Sequence, residues 1–204
     1  MTVIGLTGQS GAGKGTVASL FARFGVPSVN ADDVYRELLV PPSACLDEIV
    51  AAFGRGVLLP DGTLDRKSLG AVVFSDRAAL DRLNAIAHRR VMAEMRRRAD
   101  DLRKKGVPAV LWDAPQLFEA GGEKDCDAIV AVLAEEPLRL ARVVARDGIT
   151  EAEARRRFAS QYTEAFFREH ADFILENNAA PEDLLPRVRE ILLALGLPAT
   201  EKTI

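Results

Sequence analysis

The chain of 204 residues is long enough for one ordinary core and a small inserted lobe. Its 48% hydrophobic and 28% charged content is that of a soluble globular protein, and no apolar run approaches the ~20 residues of a membrane-spanning helix. A net charge of −3 argues against general nucleic-acid binding. Two histidines, with Cys45 and Cys126 lacking ligand spacing, argue against a histidine- or cysteine-based metal centre.

Met1 leads directly into an apolar run, Val3 to Thr7, that reads as a first strand, so no signal peptide is expected and the cysteines read as free thiols in a reducing cytoplasm. The few aromatic residues are expected to form no stacking platform. Gly8, Gln9, Ser10, Gly11, Ala12, Gly13, Lys14, Gly15 and Thr16 follow the strand and open a helix to Phe24 with apolar Val17, Leu20, Phe21 and Phe24. This nearly matches Gly-x-x-x-x-Gly-Lys-[Ser/Thr], the phosphate-binding loop. Its glycines let the backbone turn tightly and aim N–H groups inward, where the positive end of the helix also points. Lys14 adds a mobile cation for the outer phosphates. Gly15 stands where a hydroxyl usually reaches Mg²⁺, and Thr16 is the next candidate ligand. The Gly-Lys-Gly-Thr form resembles the loop of adenylate kinases.

Val26 to Val29 reads as a short second strand ending at Asn30-Ala31-Asp32-Asp33. Residues 34–105 then change character, with helical patterns over 35–40, 44–53, 66–74 and 76–104, a turn at 59–63 and no clear strand. Such a stretch is too long for a crossover and reads as a helical insertion. Strands resume at 108–112 and, wholly apolar, at 128–133, as a central parallel strand requires. A helix follows over 137–145, and Thr150 with Glu153 forms a capping box that starts another. A fifth strand over 173–175 and an amphipathic helix over 181–195 close the pattern. Strands separated by helices imply a doubly covered parallel sheet.

Ligands in such sheets sit at the carboxyl ends of the strands, where this chain places the loop, then Asn30 and Asp32, then Asp113 and Glu119. Asp32 reads equally as a site carboxylate and as the cap of the next helix. Asp113 is a cap or loop residue, or a carboxylate that orients a magnesium-bound water. Arg142 and Arg146, four apart on one helix face with Arg139 beside them, suit either a solvated face or a lid that neutralises a moving phosphoryl group. Arg96 to Arg98, Arg103 to Lys105 and Arg155 to Arg157 read as wet helix faces.

From residue 1 to about 195 the order and spacing of motifs resemble the dephospho-coenzyme A kinase family. The carriers are Ile4 to Gly8 with the loop, Val29-Asn30-Ala31-Asp32, Tyr35 to Leu38, Phe53-Gly54, Leu59 to Arg66 with its Asp61-Gly62-Thr63-Leu64 turn, Val73-Phe74, Pro115 to Glu119, Arg142 with Arg146-Asp147-Gly148, Gln161, and Ala171 to Asn177. The chain departs from the family pattern at Gly15, Asn30, Arg89, Gln116 and Glu176. The resemblance implies a P-loop α/β/α three-layer fold with a five-stranded parallel sheet. Residues 1–33, 106–138 and 171–204 would form the nucleotide-binding core, 34–105 the acceptor lobe and 139–170 the lid. It implies transfer from ATP with Mg²⁺ to the 3′-hydroxyl of dephospho-coenzyme A. Asp32 would be general base, Lys14, Arg142 and Arg146 catalytic, and residues 8–16 with Asn177 nucleotide-binding. Thr16 and, through water, Asp113 would hold the metal. A cytoplasmic monomer or weak homo-oligomer is expected. The alternatives are a nucleoside monophosphate kinase and a non-catalytic binding paralogue.

Overall fold

The structure, a computed structural model, describes residues 1–201. Five strands, β1 (Thr2–Gly8), β2 (Ser28–Asn30), β3 (Ala109–Asp113), β4 (Ala128–Leu133) and β5 (Phe173–Glu176), form one sheet in the order β2-β3-β1-β4-β5. The ladders of β1 with β3 and β4, and of β4 with β5, are parallel. The central strand β1 is therefore flanked on both sides, which fixes what lies beside the loop. Leu6 is in register with Asp113, and Gly8 with Val132. Every residue of β3 and β4 is buried, as the apolar runs require.

One sheet face packs Ile4, Leu6, Leu111, Val130, Val132 and Leu175 against Val17, Leu20 and Phe21 of α1 (Lys14–Arg23) and Val188, Ile191 and Leu192 of α9 (Leu184–Ala194). Burying side chains such as Leu6 and Phe21 stabilises by about 1.5–3 kcal/mol each. The other face receives Phe167 of α8 (Glu164–His170) against Ala131 and Leu133.

Residues 30–98 pack as a separate unit; residues 1–29 and 99–201 make the other. The 30–98 unit holds α2 (Ala31–Leu38), α3 (Ala44–Phe53), α4 (Arg66–Ser75) and most of α5 (Arg77–Lys104). Its core is Leu39, Ile49, Val57, Leu69 and Val73. Ser43 caps α3 and Asp65 caps α4, each through a side-chain oxygen that accepts two backbone N–H bonds. The turn at 59–63 is closed by the Leu59 N–H, which donates to the Thr63 carbonyl at 2.8 Å, and by an isolated bridge between Leu58 and Leu64.

Several boundaries differ from the sequence pattern. Helix α2 begins at Ala31, four residues before the apolar periodicity shows, because Asn30 caps it. Helix α9 begins at Leu184 after a short 3₁₀ turn. Pro186 enforces this, since its ring tolerates a helical position only in the first turn. Helix α8 was not legible: seven residues starting after Thr163 are too few to show a period. Aromatic side chains gather around α8. Tyr162, Phe166 and His170 stack in a column, with centroids 3.8 and 4.1 Å apart, and Phe118 meets Phe166 edge-on at 5.1 Å. Tyr162, Phe166 and His170 are four residues apart, a spacing that α8 and the residues before it turn into one face. Cys45 is buried, Cys126 half-buried, and both are free. Burial first, then nearby carboxylates, push the Cys126 thiol up to about 12, which leaves it inert at neutral pH.

Candidate active site

The loop between β1 and α1 is shaped by three glycines with different constraints. Gly8, Gly11 and Gly13 have φ of 140°, 80° and 95°. A Cβ at Gly8 would lie 2.1 Å from the Val132 carbonyl oxygen, and one at Gly11 2.6 Å from that of Arg139. Both neighbours are backbone, so neither position accepts a side chain. Gly15, by contrast, has open space around its Cα. Gly13 is the N-cap of α1 and provides no side-chain hydrogen bond. The first-turn N–H groups of α1 therefore have no partner within the helix, and they carry its positive dipole end. A loop that admits no Cβ at Gly8 or Gly11, ending at an uncapped helix terminus, fits a nucleotide's phosphates.

The loop is held from behind. Asn177, 4% exposed, donates from Nδ2 to the Ala12 carbonyl at 2.8 Å. Arg142 donates from Nη1 to the Gly11 carbonyl at 3.3 Å and from Nη2 to the Asn177 carbonyl at 3.2 Å. Arg139 reaches the Ser10 carbonyl at 3.5 Å. Three successive carbonyls thus point away from the cradle. In a trans peptide the next N–H points the opposite way. Holding the Ser10 and Ala12 carbonyls outward therefore turns the Gly11 and Gly13 N–H groups inward. The Ala12 N–H is used inside the loop, on the Gln9 carbonyl at 3.1 Å. Gln161 Oε1 accepts from the Ser10 N–H at 3.1 Å.

Lys14 and Asp113 meet at the mouth of the cradle, Nζ to Oδ1 at 3.2 Å. The register explains the meeting: Asp113 ends β3 opposite Leu6 of the adjacent β1, two residues before that strand gives way to the loop that carries Lys14. Asp113 is 6% exposed. Thr16, in the first turn of α1, is the nearest hydroxyl in sequence for a metal. Neither a cap nor a loop position describes Asp113, which is the last residue of β3.

The structure resolves the reading of Asp32 as a cap. Asn30 is the N-cap of α2, and its Oδ1 accepts from the Asp33 N–H at 3.0 Å. Asp32 lies in the first turn, exposed, and among the described residues its carboxylate has no hydrogen-bond or ion-pair partner within its own unit. Asp33 instead pairs with Arg36 at 2.5 Å.

Of the three arginines of α6 (Glu136–Asp147), two turn to the loop backbone and one does not. Arg139 is buried and Arg142 is on the loop backbone, whereas Arg146 is exposed and forks onto Asp147 at 2.7 and 3.0 Å. Arg157 joins the same carboxylate at 2.5 Å, and Arg155 pairs with Glu136 at 2.5 Å. Hydrogen bonds from Arg146 first, then Arg157, hold the Asp147 carboxyl far below the usual carboxylate range. The Asn177 side chain supports the loop at the Ala12 carbonyl. That role leaves no local sequence signal, because its partner is 165 residues away. The roles of Arg139 and Gln161 toward Ser10 were missed for the same reason.

Asn177→Leu is expected to weaken ATP binding and lower the melting temperature together. It leaves the buried Ala12 carbonyl without its donor, a loss of about 1–3 kcal/mol. Thermal melts with nucleotide titrations check this, and an unchanged ATP affinity would show that the loop holds itself.

The family model described as Dephospho-CoA kinase matches residues 2–183. A dephospho-CoA kinase of Geobacter sulfurreducens is 39% identical over 191 residues, covering 94% of this chain and 97% of the relative. One of Anaeromyxobacter dehalogenans is 43% identical over 195 residues, covering 96% and 92%. Among solved structures, TT1252 from Thermus thermophilus is 32% identical with a TM-score of 0.79, covering 95% of this chain and 97% of that one. The phosphate cradle, the 2-3-1-4-5 parallel sheet and these matches over nearly the whole length agree, and the chain belongs to the dephospho-CoA kinase family.

Proposed function

We propose that this chain carries out its family's reaction, transfer of the ATP γ-phosphoryl group to the ribose 3′-hydroxyl of dephospho-coenzyme A, with the residues described above in specific roles. The observation that supports this most is the cradle of residues 8–16, with Lys14 already at its mouth. The inward N–H groups of the loop and of the first turn of α1 bind the phosphates, and Lys14 neutralises the outer ones. Asp32 accepts the proton of the attacking hydroxyl or orients it for in-line attack. Its exposure and lack of a cap role leave it available for that. Residues 34–105 shape the acceptor site, and Arg146 with Arg142 belongs to a lid over 139–170. Thr16 and, through water, Asp113 would hold Mg²⁺, which when bound neutralises charge on the phosphate oxygens. No covalent intermediate is needed, since such transfer is mostly positioning and charge stabilisation.

The test is a coupled ADP-release assay with dephospho-coenzyme A, nucleoside monophosphates and no acceptor. Release specific to dephospho-coenzyme A is expected. Release only with monophosphates would overturn the acceptor, and none with any acceptor would leave a binding protein.

Arg142→Ala is expected to raise the KM for ATP and lower kcat, because it removes a loop support as well as a cation. Arg146→Ala is expected to lower kcat with little change in KM, by on the order of 10²–10³-fold if it meets the transferring group. Steady-state kinetics on both variants check this, and wild-type kcat in Arg146→Ala would reduce that residue to a partner of Asp147.

A further inference from the structure

Arg139 is a buried cation. It is 6% exposed, and its Nε donates to the Ala134 carbonyl at 3.0 Å. Its Nη1 reaches the Ser10 carbonyl at 3.5 Å, and its guanidinium carbon lies 4.4 Å from the centroid of the Phe158 ring. Among the described residues no carboxylate is within ion-pair distance of it. Glu136 is taken by Arg155 and Glu164 by Arg168, so both act on Arg139 only from farther away. Burial pulls the guanidinium below its ordinary pKa, yet a guanidinium stays protonated at neutral pH. The same residue touches the loop through its backbone, against Gly11.

Removing an ion from water is unfavourable, and two carbonyl dipoles with one ring face offset it only in part. An apolar side chain would fill the place at lower cost, so the charge needs a reason. We infer that Arg139 is the fixed counter-charge of the phosphate cradle, a positioning residue that aims the loop through Ser10 and holds positive potential beneath it for a polyphosphate to neutralise. This rests on reading residues 8–16 as the nucleotide-phosphate site and is independent of the acceptor. Two effects combine. Holding the Ser10 carbonyl outward turns the Gly11 N–H inward. The buried charge acts on the bound anion through protein and not through solvent, so salt screens it less than a surface lysine. Phe158, from α7 (Glu151–Ala159), covers the guanidinium and keeps water from it.

The experiment measures binding of ATP and of inorganic tripolyphosphate by calorimetry, and melting of the ligand-free protein, for Arg139→Met, Arg139→Gln and Arg139→Lys. Arg139→Met should bind both ligands at least tenfold more weakly, while the ligand-free melting temperature stays equal or rises. A merely structural residue would lower it. Arg139→Lys, which keeps the charge, should stay within about threefold of wild type for tripolyphosphate, and Arg139→Gln should fall with Arg139→Met. If Arg139→Met does not fold, the contrast of Gln with Lys decides. Equal affinities in those two variants, or an unchanged affinity in Arg139→Met, overturn the inference. Wild-type protein that binds no tripolyphosphate overturns both the site and the role of Arg139. Wild-type protein that binds it but phosphorylates no dephospho-coenzyme A overturns the acceptor assignment alone.

Discussion

Lys14→Ala is expected to lower the rate of phosphoryl transfer by on the order of 10²–10³-fold or more, the loss typical of removing one donor from developing transition-state charge. The side chain does no core packing. It reaches across the mouth of the loop to Asp113, a residue with further interactions of its own, so the variant should fold. Circular dichroism and a thermal melt establish the fold, and single-turnover transfer gives the rate. A folded variant with wild-type turnover would remove the loop from the reaction, and with it the central chemical claim.

Asp32→Asn is expected to reduce kcat by about 10²–10⁴-fold while ATP affinity stays within a few-fold of wild type. The amide has the shape of the carboxylate but does not take a proton. The structure makes this a cleaner substitution than the sequence promised. Helix α2 is capped by Asn30, so changing Asp32 leaves the cap intact and removes only one of two first-turn acids, a loss of about 0.3–1 kcal/mol at an exposed helix end. Asn30→Asp should change activity little, since aspartate caps a helix as well as asparagine does. The measurement is single-turnover transfer to dephospho-coenzyme A with nucleotide binding in parallel. Full rate in Asp32→Asn would send the search for the acceptor-activating group to Asp33 or Asp113.

What the chain shows locally, it shows well. The β1–loop–α1 unit is legible because glycine, lysine and an apolar strand must occur in one order for a phosphate cradle to form. The buried strand β4 is legible because a central parallel strand tolerates only apolar side chains. The supports of the loop are not legible. Asn177 reads as a strand-end residue and Arg139 as one basic residue in a helix of several; only the sheet order brings α6 and the end of β5 behind Gly11 and Ala12. The arginines of α6 show the limit most plainly. Their spacing predicts a shared face, but backbone hydrogen bonds put Arg139 and Arg142 on successive loop carbonyls while Asp147 holds Arg146 elsewhere.

The contact of Lys14 with Asp113 also bears on entropy. A lysine on the surface samples many rotamers, and fixing them costs up to roughly 1.5–2 kcal/mol. Here the side chain is only 16% exposed and its ammonium is already held at a carboxylate. Much of that ordering is completed when the chain folds. A nucleotide that arrives meets a cation whose search is over, and affinity is correspondingly less reduced by side-chain ordering than at a loop whose lysine is loose.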